Sequence, residues 1–527
     1  MLNTPSSTWN KDKAEWRALY SDTLPQQIDR TILRIKKNKK NPEILLRHFD
    51  SMLQLFEQAL SHPTPATQLK LIDFVQALHP LPVWWGKWSE WMRVLDKTSF
   101  VAQKNNKTKR ELWLYLTQSE LSITGGDAKK ALIFAEKALH LAMLFQNQEM
   151  IFQAEMAIFE AKKDLGQIGD RISAISALEK ALNKMRNLLP EKASQILEVK
   201  FLLKKTDVLR RIKRKEEAAL TVQKAHRIAS KNFDENNPLL AQVYNRRGAT
   251  YWTAEKNSLA IADFEKATDI FKSCGDKTSQ LYSIGYTGLV SWSAGEYRKA
   301  ERILQSSINI AEDIKALQWQ AIQIGNLGLV YYTRGKLSQA IAFMKQYYML
   351  SDLINNNAEK MRASGNIGYA QVFLGNFEDA RQRLLKDIAF TEEMKFDTGS
   401  GTTYANMAWA MDGLGDSDSA LEYAEKSLFM AEKTNSHLLK IVALRSLSEV
   451  QTDQNTKTRY AEEAYNLAKK HSRRFNIAGA LLTLAECHED EKLQKKAIHI
   501  LEEVGSTAWL KVPLIFKSLR LPLLYWG

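Results

Sequence analysis

Cysteine is nearly absent from this 527-residue chain: Cys274 and Cys487 are the only two. They can form no disulfide framework and supply too few thiolates for a structural zinc site, so a reducing cytoplasm is the expected location. Long hydrophobic runs are missing as well. No window reaches the 18 or so apolar residues of a membrane span, and MLNTPSSTWNKDKAEW lacks the basic start and apolar stretch of a secretory signal. There is no GxxxxGK[ST] phosphate loop, no HExxH, no GxSxG elbow and no GxGxxG after a strand. His488 stands beside Cys487 and ahead of Glu489, Asp490 and Glu491, but these follow one another along the chain instead of converging, and read as a solvated helix end. No enzyme activity, cofactor or metal is expected. Proline, too, is absent from the whole stretch between Pro238 and Pro513, so helices there need tolerate no missing backbone donor.

What the chain has in abundance is itself, repeated. LYSIGYTGLVSWSAGEYRKA, WQAIQIGNLGLVYYTRGKLSQA, KMRASGNIGYAQVFLGNFEDA and GTTYANMAWAMDGLGDSDSA place small residues at Gly288, Gly328, Gly368 and Ala408, then at Gly295, Gly335, Gly375 and Gly415, then at Ala300, Ala340, Ala380 and Ala420. Each series steps by 40 residues. Such a period marks an array of supersecondary units, none able to bury its apolar face alone. A small residue on the first helix (A) and another on the second (B) let two antiparallel helices approach closely, and the glycine between them serves as a left-handed helix stop.

Pairs of small residues seven apart, two turns and so one face, register the B helices further back: Ala131 and Ala138, Ala174 and Ala181, Ala218 and Ala225, Ala260 and Ala267. Later the second member becomes Ser307, Tyr347, Asp387 and Ser427. A degenerate unit around Tyr460 and Ala464 and a last one carrying Ala485 and Ala497 bring the count to ten. The expected fold is therefore all-α, a right-handed α-solenoid of about ten hairpins over 106–505. A non-repeat helical cap over 1–105 precedes it and an apolar, proline-broken tail or cap over 506–527 follows. In the cap, VWWGKWSEWMRVL reads as one helix with Trp84, Trp88 and Trp91 on a single stripe, packed on the first repeat rather than forming a ligand cage.

This pattern (small residue on helix A, turn glycine seven later, alanine five beyond, another seven further) resembles the tetratricopeptide repeat. The 40-residue period is similar to the longer-looped branch found in kinesin light chains, spindle-orientation adaptors and the sensor arms of bacterial signal-transduction ATPases. Several units lack the turn glycine, with Glu255 and Lys213 standing there, and the proline often seen after helix B is largely absent. The resemblance implies a non-enzymatic scaffold or adaptor for protein partners. It also implies an inner, concave surface made by the A helices, on which asparagine ladders hold an extended peptide by its backbone.

Two residues before the small position stand Asn326, Asn366 and Asn406, again 40 apart, each preceded by Gly325, Gly365 or Ala405 that leaves room beside the carboxamide. A carboxamide offers a peptide unit both a donor and an acceptor. Arg246 and Tyr286 fill the matching positions upstream. Trp252, Trp292 and Tyr332, with Tyr369 and Trp409, are candidates to line apolar pockets on the same surface, or else to pack between repeats. The expected groove spans about 240–410. Net charge is +14, with basic clusters at Arg34, Lys36, Lys37, Lys39 and Lys40 and at Arg210, Arg211, Lys213, Arg214 and Lys215, which suit an acidic partner or nucleic-acid phosphates, or simply cover solvated turns. Two alternatives to the adaptor remain open: a regulatory subunit of a bacterial signalling or defence complex whose catalytic chain is separate, and a basic scaffold for RNA or DNA.

Overall fold

A computed structural model describes residues 23–38, 42–105, 108–125, 127–164, 171–186, 189–212, 214–354, 356–393, 397–471 and 474–511. Among these, all regular secondary structure is helical, and ten consecutive helical hairpins run from Thr108 to Glu503. The chain divides into two compact units, Met1–Lys256 with Ala262–Gln280, and Asn257–Ile261 with Leu281–Gly527.

In the first unit the cap comprises residues 23–37 and the helices Pro42–Leu46, Phe49–Ser61, Pro65–Leu78, Leu81–Trp84 and Trp88–Lys104. Its core is continuous with the first repeat helix, Thr108–Thr124: Trp85, Trp91 and Leu95 are buried together with Leu114 and Leu121. The single tryptophan helix expected from the sequence is two helices. Gly86, at φ +73°, ends the first, so Trp84 and Trp88 do not share a continuous face. Trp88 instead turns its Nε1 back onto the Val83 carbonyl at 3.1 Å. After the hairpins of this unit the chain returns to the cap, where the Thr278 hydroxyl reaches the carbonyls of Val83 and Trp84 at 3.1 and 3.0 Å.

In the second unit the hairpins up to Lys433 repeat at a strict 40-residue step, and the last two are less regular. The A helices are Leu317–Thr333, Asn357–Phe373, Asp397–Gly413, His437–Val450 and Arg474–His488. The matching B helices are Leu337–Leu353, Phe377–Glu393, Ser417–Lys433, Gln454–His471 and Glu491–Glu503, and the pair Lys277–Ser293 with Tyr297–Asp313 comes ahead of them. The small residues do what their spacing predicts. A Cβ on Gly288 would lie 2.8 Å from Leu304, and one on Gly328 2.8 Å from Met344, so in these two hairpins a larger residue on the A helix would force the B-helix side chain to shift. Ala300, Ala340, Ala380 and Ala420 are buried opposite.

Gly295, Gly335, Gly375 and Gly415 all lie at φ between +78° and +84°. The residue after each closes the turn by donating to a carbonyl five back, as Lys336 N does to Tyr331 O at 3.0 Å. Glu255 holds the same left-handed stop, φ +59°, without being glycine, and Lys256 N donates to Tyr251 O at 2.9 Å. Of the register positions, the Ala174 side chain lies outside the described residues, while Ser307, Tyr347, Asp387 and Ser427 are buried.

Candidate partner-binding surface on the A helices

The three asparagines occupy one register but not one environment. Asn326 is 2% exposed and its Nδ2 donates to Gln323 Oε1 at 3.3 Å; Asn406 is 3% exposed and its Nδ2 donates to the Thr402 carbonyl at 2.9 Å. Neither buried Oδ1 has a hydrogen-bonding partner among the described residues. Asn366 is half-buried, with Nδ2 3.8 Å from Met344 Sδ on the B helix of the preceding hairpin. The space expected beside the carboxamides is already taken. A Cβ on Gly325 would stand 2.7 Å from the Tyr347 ring and one on Gly365 2.8 Å from the Asp387 carboxylate, because those positions face their own B helix. Ala405 is itself fully buried.

The aromatic candidates pack against one another. Trp292 Nε1 donates to Thr333 Oγ1 at 2.9 Å on the next hairpin. Tyr332 meets Phe373 edge-on at 6.3 Å, and Phe373 meets Trp409 at 5.8 Å. Burial raises the Tyr332 hydroxyl well above the usual tyrosine range. That hydroxyl and the Trp409 Nε1 are both buried without a hydrogen-bonding partner among the described residues. Tyr369 donates to Asp387 Oδ2 at 3.2 Å and Thr403 Oγ1 to the same oxygen at 2.6 Å. Burial nevertheless pushes the Asp387 carboxyl up, against these two donors. Tyr286 stacks obliquely on Tyr282 at 4.5 Å. In the first unit, Arg246 Nε pairs with Asp207 Oδ2 at 2.8 Å, and Trp252 is half-buried.

A buried charge pair on this face escaped the sequence reading. Arg445 is fully buried: its Nε lies 3.2 Å from Thr483 Oγ1, its guanidinium carbon 5.8 Å from the Trp409 ring centre, and its Nη2 3.7 Å from Glu449. Thr483 in turn donates to Glu449 Oε1 at 3.1 Å. The signal was present as opposite charges four apart within the helix HLLKIVALRSLSEV.

Of the first basic cluster, Arg34, Lys36 and Lys37 are exposed, while Lys39 and Lys40 lie outside the described residues. In the second, Arg210 pairs with Asp207 at 3.5 Å, Arg214 pairs with Glu217 and Lys215 is exposed; Lys213 and the Arg211 side chain lie outside the described residues. Among the described residues no group of His, Cys, Asp and Glu is placed to hold a metal ion, and no helix is long and apolar enough to cross a membrane. The crevice between Leu329, Tyr332, Ala340, Met344, Asn366 and Ala370 is too narrow to admit a water molecule.

The tetratricopeptide-repeat family profile matches residues 241–274, which coincide with the hairpin whose Arg247 makes a two-pronged ion pair with Asp263 at 2.7 Å. The chain carries tetratricopeptide repeats. No curated protein matches it. Among solved structures, a Rap protein complexed with Competence and Sporulation Factor superposes on the array at TM-score 0.50 and 12% identity, over 77% of this chain and 99% of that one. Yeast Tom70 aligns over 85% of this chain and 95% of its own, at 14% identity and TM-score 0.36. A signal-transduction ATPase with a tetratricopeptide-repeat sensor from Pyrococcus horikoshii aligns over 78% and 54%, at 12% and 0.36. The first likeness establishes the arrangement of stacked hairpins. The 40-residue step and the small-residue registers are regular from Lys277 to Lys433.

Proposed function

We propose that this protein is a non-enzymatic, cytoplasmic scaffold that holds a segment of a protein partner on the A-helix face of its second unit. One observation carries the reading. Asn326 Oδ1, Tyr332 Oη, Asn406 Oδ1 and Trp409 Nε1 are all buried without hydrogen-bonding partners among the described residues, and all belong to the registers that spacing alone singled out. A buried polar atom left unpaired costs roughly 1–3 kcal/mol, and its persistence calls for an explanation. Two acceptors two repeats apart, with a hydroxyl and an indole N–H nearby, match the alternating donors and acceptors of an extended backbone. The face is closed over by its own side chains, so binding requires the hairpins to part, and partner affinity is reduced by the fraction of molecules that are closed.

The nucleic-acid reading draws less support, because Arg210 and Arg246 share Asp207 and Arg214 pairs with Glu217. The cap over 1–105, array over 106–505 and terminal segment over 506–527 stand as the proposed domain division.

The test is the triple variant Asn326→Ala, Asn366→Ala and Asn406→Ala. Affinity capture with quantitative mass spectrometry is expected to recover a protein with the wild-type chain and to lose it with the variant. Melting should be unchanged or slightly raised, since two orphaned acceptors are removed. A variant that unfolds, or that captures the same proteins, refutes the ladder as a binding device.

A further inference from the structure

Hairpins of a solenoid touch their neighbours in sequence, and one segment of the second unit breaks that rule. After the last B helix Gly505 turns the chain at φ +71°, Ser506 N donates to Leu501 O at 2.8 Å, and a single 3-10 turn, Thr507–Lys511, lies against the hairpin Leu317–Leu353. Trp509 is its anchor. The side chain is 1% exposed, its Nε1 donates to the Thr333 carbonyl at 2.9 Å, and its ring meets Tyr332 and Phe373 edge-on at 5.9 and 5.4 Å. The approach is close at the backbone too: a Cβ on Gly335 would stand 2.4 Å from Trp509 N and 2.8 Å from the Ala508 carbonyl carbon.

The receiving pocket belongs to the repeat array, not to the strap. Thr333 is the last residue of its A helix, so its carbonyl is one that the helix leaves without an internal partner. Tyr332 and Phe373 present their ring faces and edges beside it, and the unpartnered Tyr332 hydroxyl adds a polar atom. An aromatic floor with one carbonyl acceptor selects an aromatic side chain that carries an N–H donor, which is tryptophan. The strap that fills it is a single helical turn anchored by one side chain, and its removal exposes the edge of the same A-helix face that carries Asn326 and Trp409.

We propose that the pocket of Tyr332, Phe373 and the Thr333 carbonyl is a docking site for a tryptophan-bearing segment of the partner, and that the chain's own Ser506–Lys511 strap competes for it. The proposal rests on the A-helix face being the partner surface, but its test does not involve the asparagines. Held in cis, the strap acts at an effective concentration in the millimolar range, so it outcompetes a free peptide of the same sequence.

The probe is the fluorescently labelled peptide STAWLK, titrated with the full chain and followed by anisotropy. The Trp509→Ala chain is expected to bind it at least tenfold more tightly than wild type does, the peptide with alanine in place of tryptophan should not bind, and adding Gly335→Ala to Trp509→Ala should abolish binding. A Trp509→Ala chain with wild-type circular dichroism that binds no better than wild type overturns the proposal. If Trp509→Ala loses helicity, Trp509→Phe replaces it, keeping a ring while losing the donor to Thr333; it should still bind the peptide more tightly than wild type, and equality overturns the proposal. Failure here, with capture still lost in the asparagine variant, removes the pocket alone.

Discussion

Gly335 and Gly415 occupy the same turn in hairpins two repeats apart, at φ +80° and +83°, and differ in one respect. A Cβ on Gly415 meets nothing within 4 Å, whereas one on Gly335 runs into the backbone of Ala508 and Trp509. Substituting alanine at Gly415 therefore reads the left-handed backbone penalty by itself. That penalty is about 1–2 kcal/mol, reduced by about 0.4–1 kcal/mol because alanine also restricts the unfolded chain, leaving a net cost near 1 kcal/mol. Gly335→Ala incurs the same cost and must also displace the strap, because the clashing atoms are main chain and cannot rotate away. Overpacking of this kind costs about 1–3 kcal/mol. The ceiling is complete release of Trp509, about 3–5 kcal/mol by analogy with truncating a buried tryptophan.

The expected outcome is thus a Gly335→Ala penalty exceeding that of Gly415→Ala by about 1–3 kcal/mol. Two units make a single unfolding transition unsafe, so native-state hydrogen exchange is the assay of choice, supported by urea melts. Protection should fall selectively in 507–511 and at the end of Leu317–Thr333 for Gly335→Ala, and not for Gly415→Ala. Equal penalties and equal exchange patterns would show that the strap bears no load, and the steric reasoning would fail.

Glu255→Gly should stabilise the first unit by about 1 kcal/mol in a urea melt, since it relieves a left-handed non-glycine residue at a stop where the turns at Gly295, Gly335, Gly375 and Gly415 use glycine. Asp276 is almost fully buried and burial pushes its carboxyl up to about 6, although its side chain caps a helix through Ser279 N at 2.9 Å. A raised carboxyl means that the folded state binds more protons than the unfolded between about pH 4 and 6. Stability from this group therefore rises on acidification through that window, and above pH 6 the folded protein carries the full penalty, about 3 kcal/mol at 1.36 kcal/mol per unit. Asp276→Asn keeps the cap acceptor and should flatten that pH dependence, as followed by chemical melts from pH 4.5 to 8. Arg445→Met should cost about 3–5 kcal/mol by stranding Glu449, and Glu449→Leu added to it should recover most of the loss in a double-mutant cycle.

Most of the architecture was legible because a solenoid writes its packing rules ten times over. The turn glycines, the B-helix alanines and even the exception at Glu255 are local demands on backbone and volume, and each shows up as spacing. The cap was legible as helices but not as breaks, since the tryptophan spacing in VWWGKWSEWMRVL fits one continuous helix, whereas Gly86 supplies a left-handed stop within it. At the candidate surface the asparagine register was visible, but the space beside it was misassigned. Periodicity shows that Gly325 and Gly365 are small without showing which neighbour demands it, and the Tyr347 ring and the Asp387 carboxylate do so. Trp509 left no signal because its partner lies 176 residues away and nothing repeats. Arg445 and Glu449 were legible only as an oddity of composition, since only the folded array brings Thr483 and Trp409 to them.

The strap also decides how this protein would respond to being pulled. Force applied at the chain end beyond Lys511 passes through Trp509 into the Leu317–Leu353 hairpin before it reaches the four hairpins after it, which stay slack while the strap holds. In an optical trap those hairpins should open only after an initial rupture at the strap, whereas the Trp509→Ala chain should peel from its end one hairpin at a time. A single indole would thus set the order of mechanical unfolding for these four hairpins.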